Sequence, residues 1–248
     1  MHVFISKINF LMKGDYCFVI PCYNEEQNLN LLITELQKVK SFDQDINFIL
    51  VDNGSVDNTR ELIYEKIVDS DFISICEIDN NQGMGFGIIS GLNKAIADNY
   101  KFIGWTHADL QIPFDSILKI KSIMEENIEK YENIYIRGKR KNRDSVISVF
   151  FTIMMAIYTS IAKKGLYWDI TGLPALGNTS LISKVIINSP NGFAFDVHTF
   201  INAKREKAKI IRFNVYFKER EFGESSWNHG FLSKIKMSVY YFKEILKI

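Results

Sequence analysis

Four strand-like apolar runs, each ending in a cluster of acidic, amide or glycine residues, constrain this chain more than any other feature. The runs are Cys17-Phe18-Val19-Ile20, Asn47-Phe48-Ile49-Leu50-Val51, Phe72-Ile73-Ser74-Ile75-Cys76 and Phe102-Ile103-Gly104-Trp105. They lead, in order, into Pro21-Cys22-Tyr23-Asn24-Glu25-Glu26, Asp52-Asn53-Gly54-Ser55-Val56-Asp57-Asn58-Thr59, Asn80-Asn81-Gln82-Gly83-Met84-Gly85 and Thr106-His107-Ala108-Asp109-Leu110-Gln111. Between and after them, residues 26–40, 58–68, 87–98 and 114–129 carry apolar side chains at helical spacing. Strand and helix in alternation predict an α/β fold with a mostly parallel sheet flanked by helices. Open sheets of that kind bind ligands beyond the carboxyl ends of their strands, which is where these polar clusters fall.

The remaining bulk properties narrow the class. With 248 residues, 47% hydrophobic and 24% charged, the chain is long enough for one α/β domain with a substantial core. Residues 1–230 are expected to form that domain and residues 231–248 a C-terminal helix. A formal net charge of +1 gives no global attraction for nucleic acid, and none is expected as a partner. Cys17, Cys22 and Cys76 lack metal-ligand spacing and read as reduced thiols of a cytoplasmic protein. Residues 1–12 have no continuous apolar core with a small-residue cleavage site, so no signal peptide is expected.

Gly83-Met84-Gly85-Phe86-Gly87 follows a strand and precedes a helix, which invites a dinucleotide-binding reading. The spacing argues against it, because the third glycine of Gly-x-Gly-x-x-Gly is replaced by Ile88.

Taken together and in this order, Val-Ile-Pro-x-Tyr-Asn-Glu-Glu, Val-Asp-x-Gly-Ser-x-Asp-x-Thr, Asn-x-Gly-x-Gly and Ala-Asp-Leu-Gln resemble glycosyltransferase family 2, and within it the polyprenyl-phosphate (dolichol-phosphate mannosyltransferase-like) branch. The likeness runs from about Asp15 to Trp227. It implies a GT-A fold and transfer of a sugar, with inversion, from a nucleoside-diphosphate sugar to a lipid-linked acceptor, either a polyprenyl phosphate or a lipid-linked saccharide. Such chemistry belongs to cell-surface polysaccharide or glycolipid synthesis. A competing reading, prompted by His107 and Asn53, is a non-catalytic nucleotide-sugar-binding protein of the same fold. A sugar-nucleotide pyrophosphorylase is disfavoured, because its glycine-rich N-terminal signature is missing.

The resemblance also assigns roles. Expelling a diphosphate requires stabilising charge on the leaving oxygen, usually with a divalent cation, Mg2+ or Mn2+. The family's Asp-x-Asp followed by Gln falls on His107, Asp109 and Gln111, so these three are the metal candidates and Asp109 the principal catalytic residue. Histidine at the first position removes a negative charge and suits manganese better than magnesium. Pro21, Tyr23, Glu25, Asp52, Gly83, Gly85 and Ala108 match donor-binding positions; Asp52 would accept from a base or ribose, and Asp57 or Thr59 would cap the next helix. The run Arg137-Gly138-Lys139-Arg140-Lys141-Asn142-Arg143 follows a strand at 134–136, and Arg140, with Arg143, would pair with a diphosphate or an acceptor phosphate. Otherwise it is a solvated surface loop. Arg220 and Ser225 match a late segment that would close over the diphosphate, Arg220 as a catalytic residue. Asp169-Ile170-Thr171-Gly172 matches the family's Asp-x-x-Ser-Gly turn, and Asp196 is the candidate general base if the acceptor is a hydroxyl.

Two segments point to a membrane surface. Residues 146–162 are the longest apolar stretch, short and rich in Ser and Thr for a span, and expected to pack on the sheet or lie at the bilayer interface. The tail interleaves Phe231, Ile235, Val239, Phe242 and Ile245 with Lys234, Lys236, Lys243 and Lys247, the pattern of a basic amphipathic helix. Peripheral association with the inner face of the cytoplasmic membrane is therefore expected.

Overall fold

The computed structural model describes residues 14–68, 70–141, 146–218 and 231–248. Its elements, in chain order, are β1 (Tyr16–Cys22), α1 (Leu29–Phe42), β2 (Ile46–Asn53), α2 (Thr59–Ile67), β3 (Ile73–Ile78), α3 (Met84–Ala97), β4 (Phe102–Trp105), α4 (Asp115–Glu125), β5 (Ile134–Lys141), α5 (Val146–Ala162), β6 (Ala175–Asn178), α6 (Thr179–Val185), α7 (Phe195–Arg205), β7 (Lys209–Tyr216) and α8 (Phe231–Lys247).

The seven strands form one sheet in the order β3-β2-β1-β4-β6-β5-β7. β1, β2, β3 and β4 run parallel, β6 runs antiparallel to β4 and β5, and β5 is parallel to β7. Every residue of β2 and β4 is buried, the mark of strands covered on both faces, and this is why their sequences read as unbroken apolar runs. Helix α1 buries Leu29, Leu32, Ile33, Leu36 and Val39 along one face, a stripe at helical period that fixes how it lies on the sheet. Helix α3 comes closer still: a Cβ on Gly91 would sit 2.4 Å from Val19 Cγ1 and 2.7 Å from Val51 Cγ2, so only glycine fits there.

One topological fact positions the site. From β1 the chain steps outward to β2 and β3, then returns through α3 to place β4 on the other side of β1. The loops leaving β1 and β4 therefore diverge, and the crevice between them is the place where parallel α/β sheets bind ligands.

The alternation read from the sequence is the observed fold. The basic run is the main correction: β5 continues from Ile134 through Lys141, so Arg137 to Lys141 are strand residues and Arg137 is completely buried. A solvated loop is excluded for that part of the run, because β5 pairs with β7 along its whole length.

Candidate active site

The loops after β1 and β2 brace each other. The Asn24 and Glu25 amides donate to Ser55 Oγ (3.2 Å) and Thr59 Oγ1 (2.8 Å), and the Val56 amide returns a bond to Asn24 Oδ1 (3.0 Å). Asp57 caps the start of α2 by accepting from the Thr59 amide at 3.0 Å, as the sequence led one to expect. Thr59 serves the neighbouring loop. Gly54, at φ +74°, lets the chain turn where a Cβ would lie 2.4 Å from the Asn81 amide nitrogen.

These loops and the β4 loop enclose a cavity of about 720 Å3, large enough for a nucleotide sugar. Pro21, Tyr23, Glu25, Gly83 and Ala108 line it, as do His107, Asp109 and Gln111 together. The turn that presents the last three is held in an unusual backbone state. Leu110 lies at φ +59°, and the Gln111 amide folds back to Asp109 Oδ1 at 3.2 Å. Asn24, at φ +56°, also lines the cavity, and Asp169, at φ +43°, holds the lining residue Arg140. Left-handed backbone at non-glycine residues costs about 1–3 kcal/mol each and concentrates at functional sites.

Two expected donor contacts are relocated. Asp52 is fully buried and absent from the cavity wall; its carboxylate accepts from Arg60 Nε (2.5 Å) and the Ser55 amide (3.0 Å), so it holds the turn, and Asn53 reaches the wall in its place. Gly85 is small for the protein's own sake, because a Cβ there would meet the carbonyl oxygens of Pro190 (2.5 Å) and Gly192 (2.8 Å).

Arg140 lines the cavity, yet its Nε and Nη2 both donate to Asp169 Oδ1, at 2.8 and 2.6 Å, and its amide donates to Oδ2 at 2.8 Å. Arg212 approaches the same carboxylate at 3.5 Å. Burial would raise the Asp169 carboxyl, but the two guanidinium charges outweigh it and hold it below its ordinary value. Burial in turn pulls Arg212 down to about 10 in spite of that carboxylate. Arg140, expected to pair with a phosphate, is thus a fixed charge at the rim, oriented by Asp169.

Asp196 opens α7 and forms part of the cavity wall. Its Oδ1 accepts from Arg137 Nη2 (2.6 Å) and Trp105 Nε1 (3.0 Å). Arg137 donates further to Tyr135 Oη (2.8 Å) and the Gly172 carbonyl (2.9 Å), which completes a buried network. The Asp196 carboxylate is thus held at the cavity wall by an arginine and an indole that both engage one of its oxygens. Nothing in the sequence singled out Arg137 from its basic neighbours, and its role is visible only because β5 runs on.

The far wall comes from Thr171, Leu173, Phe193, Phe217, and Met237 and Tyr241 of α8. Helix α8, expected as an appendage, therefore borders the cavity; it stacks Phe242 on Tyr158 of α5 (4.2 Å) and buries Ile245 in the core. Arg220, Ser225 and Arg143 lie outside the described residues.

Among the described residues, no three His, Cys, Asp or Glu side chains come together as a metal cage. The donor set His107, Asp109 and Gln111 offers one carboxylate, one imidazole and one amide oxygen on a single turn. That fits an ion held jointly with diphosphate oxygens, and it does not fit one bound by protein alone.

A family model described as glycosyl transferase family 2 matches residues 17–184. An undecaprenyl-phosphate 4-deoxy-4-formamido-L-arabinose transferase from Proteus mirabilis (strain HI4320) is 34% identical over 128 residues, covering 50% of this chain and 36% of the relative. The enzyme of that name from Photorhabdus laumondii subsp. laumondii is 28% identical over 218 residues, covering 85% of this chain and 62% of the relative. The chain thus spans less than two-thirds of the length of either. Among solved structures, glucosyl-3-phosphoglycerate synthase from Mycobacterium tuberculosis, in complex with Mn2+, uridine diphosphate and glucosyl-3-phosphoglycerate, aligns with a TM-score of 0.66 at 12% identity, over 97% of this chain and 81% of that one. At that identity the match concerns the fold.

Proposed function

Because the chain belongs to glycosyltransferase family 2, we propose that it transfers a sugar, with inversion, from a nucleoside-diphosphate sugar to a lipid-linked acceptor. The observation that carries this reading is the convergence of the β1 and β4 loops on one cavity, with Tyr23 and Glu25 on one side and Asp109 on the other. The β1 side, with Asn53 and Gly83, would hold the nucleoside, and the β4 turn would face the diphosphate.

In this reading an acceptor oxygen attacks the anomeric carbon as the bond to the diphosphate oxygen breaks, and the nucleoside diphosphate leaves. A divalent ion, Mg2+ or Mn2+, held by Asp109 with His107 and Gln111 beside it, would supply the charge that stabilises the departing diphosphate. Arg140, fixed by Asp169, adds a permanent positive charge at the rim for a phosphate group. That fixed cation favours an acceptor that is already an anion over a neutral hydroxyl. A lipid phosphate is such an acceptor, and the two relatives are named for one, undecaprenyl phosphate. A lipid-linked acceptor would put the reaction at a membrane, and three cysteines that form no disulfide are in keeping with its cytoplasmic side.

The test is a panel. The full chain is offered uridine, guanosine, cytidine and thymidine diphosphate sugars with Mn2+ or Mg2+, and either undecaprenyl phosphate or a lipid-linked saccharide. Transfer to undecaprenyl phosphate from one donor is the expected result. Donor binding by calorimetry with transfer to neither acceptor would favour the non-catalytic alternative, and absence of both would overturn the reading.

A further inference from the structure

Helix α5 exposes an apolar face. Phe150, Met154, Ile157 and Ile161 recur at spacings of four, three and four residues, so they share a side, and they are 57%, 42%, 47% and 75% exposed. The turn after the helix adds Leu166, 83% exposed, and Trp168. Helix α8 continues the surface. Ile235, Val239 and Leu246 are exposed on one face, and Phe242, at the edge of that face, stacks on Tyr158 of α5. The two stripes thus flank a single packed seam and form one apolar pad.

The charge around the pad says what covers it. Lys236, Lys243 and Lys247 project from the flank of α8 next to its apolar stripe, and Lys163 and Lys164 follow the end of α5. Residues 231–248 hold four lysines against one glutamate, and α5 has no charged residue. Glu244 is already engaged by Lys247 at 2.6 Å. A second copy of this chain, docking pad to pad, would set lysine rim against lysine rim. An anionic bilayer complements both parts, apolar stripes entering the acyl boundary and lysines meeting phosphate headgroups. No helix among the described residues is long and apolar enough to cross a membrane, so the pad would lie on the bilayer.

We propose that α5 and α8 together form a docking surface for an anionic lipid bilayer, and that this surface holds the cavity at the membrane. The link to the cavity is direct, since Met237 and Tyr241 of α8 belong to its wall. The inference rests on the reading of a lipid-linked acceptor and extends it by naming the surface that would meet the lipid. Both helices are needed: the tail alone offers a short stripe, and α5 doubles it.

The test needs no sugar nucleotide. The full chain is sedimented with vesicles of phosphatidylcholine alone and of equal parts phosphatidylcholine and phosphatidylglycerol. Binding to the anionic vesicles, weakened about tenfold or more by Ile157→Glu with Ile161→Glu, is the expected result. Lys236→Glu with Lys243→Glu should weaken binding only where phosphatidylglycerol is present. Circular dichroism and donor binding, unchanged in these variants, keep a folding failure or a failed glycosyltransferase reading apart from a failed surface. Val239→Glu with Leu246→Glu is the replacement pair should the α5 variant not fold. Absence of binding to anionic vesicles, or equal binding by wild type and apolar-face variants, would overturn the proposal. So would a wild-type dimer that ignores vesicles and is broken by Ile157→Glu, which would assign the pad to a second copy.

Discussion

Arg137 and Asp196 meet at 2.6 Å, Asp196 in the wall of the cavity and the arginine completely buried behind it, its guanidinium 5.6 Å over the Trp105 ring. A charge without a partner in such a place is far more costly than the pair is favourable. Arg137→Leu should therefore destabilise the protein by about 3 kcal/mol or more. The double variant with Asp196→Leu should lose clearly less than the sum of the two single changes. Urea unfolding of the four proteins measures the coupling, and additive losses would show that the two side chains do not depend on each other.

Asp109 is the only carboxylate on the β4 turn, so no neighbour on that turn can replace it. Asp109→Ala should lower kcat/KM by about a hundredfold or more while leaving the unfolding midpoint within a degree or two. Near-normal transfer by this variant would remove Asp109 from the chemistry.

His107 occupies the position of a carboxylate in the resembling motif. His107→Asp adds a negative oxygen donor beside Asp109 and should shift the preference from Mn2+ towards Mg2+ by several-fold. Activity titrated with each ion is the measurement, and an unchanged ratio would place His107 outside the coordination sphere.

Asp169 gathers Arg140 and Arg212 around one carboxylate. Asp169→Asn removes the charge both depend on and should cost about 3 kcal/mol. If Arg140 serves a phosphate at the rim, the same variant should raise KM for the acceptor more than it changes kcat. A stability loss with KM unaltered would assign Asp169 to the fold alone.

His198 is held below its ordinary value of 6.5 by burial, with the charge of Arg205 acting in the same direction and the Ile187 carbonyl opposing. In the unfolded chain it binds a proton more readily. Its contribution to stability is therefore complete above about pH 6.5 and is lost as pH falls through the lower folded value. The melting temperature of the wild type should decline below about pH 6.5 more steeply than that of His198→Gln. Parallel curves would contradict the assignment.

Much of this was legible before any coordinates. β1, β2 and β4 could be read as apolar runs because both their faces are covered, and the polar clusters at the strand ends fell where the sheet topology places a ligand. The ordered motifs carried the family. What escaped was whatever depends on distant partners. Asp52 looked like a ligand contact because its motif says so, and Arg60, eight residues on, draws it into the interior. Arg137 looked like one cation among five, and pairing of β5 with β7 buries it.

The sequence by itself determined the order of elements in the parallel half, the family and the group His107, Asp109 and Gln111, because local periodicity and short motifs are properties of neighbouring residues. Only the tertiary structure decided which charges are spent inside the protein and which face the cavity. It also decided that the C-terminal helix joins α5 in an exposed apolar surface beside that cavity. Those outcomes are set by contacts between residues tens of positions apart, whose desolvation and pairing no local pattern encodes.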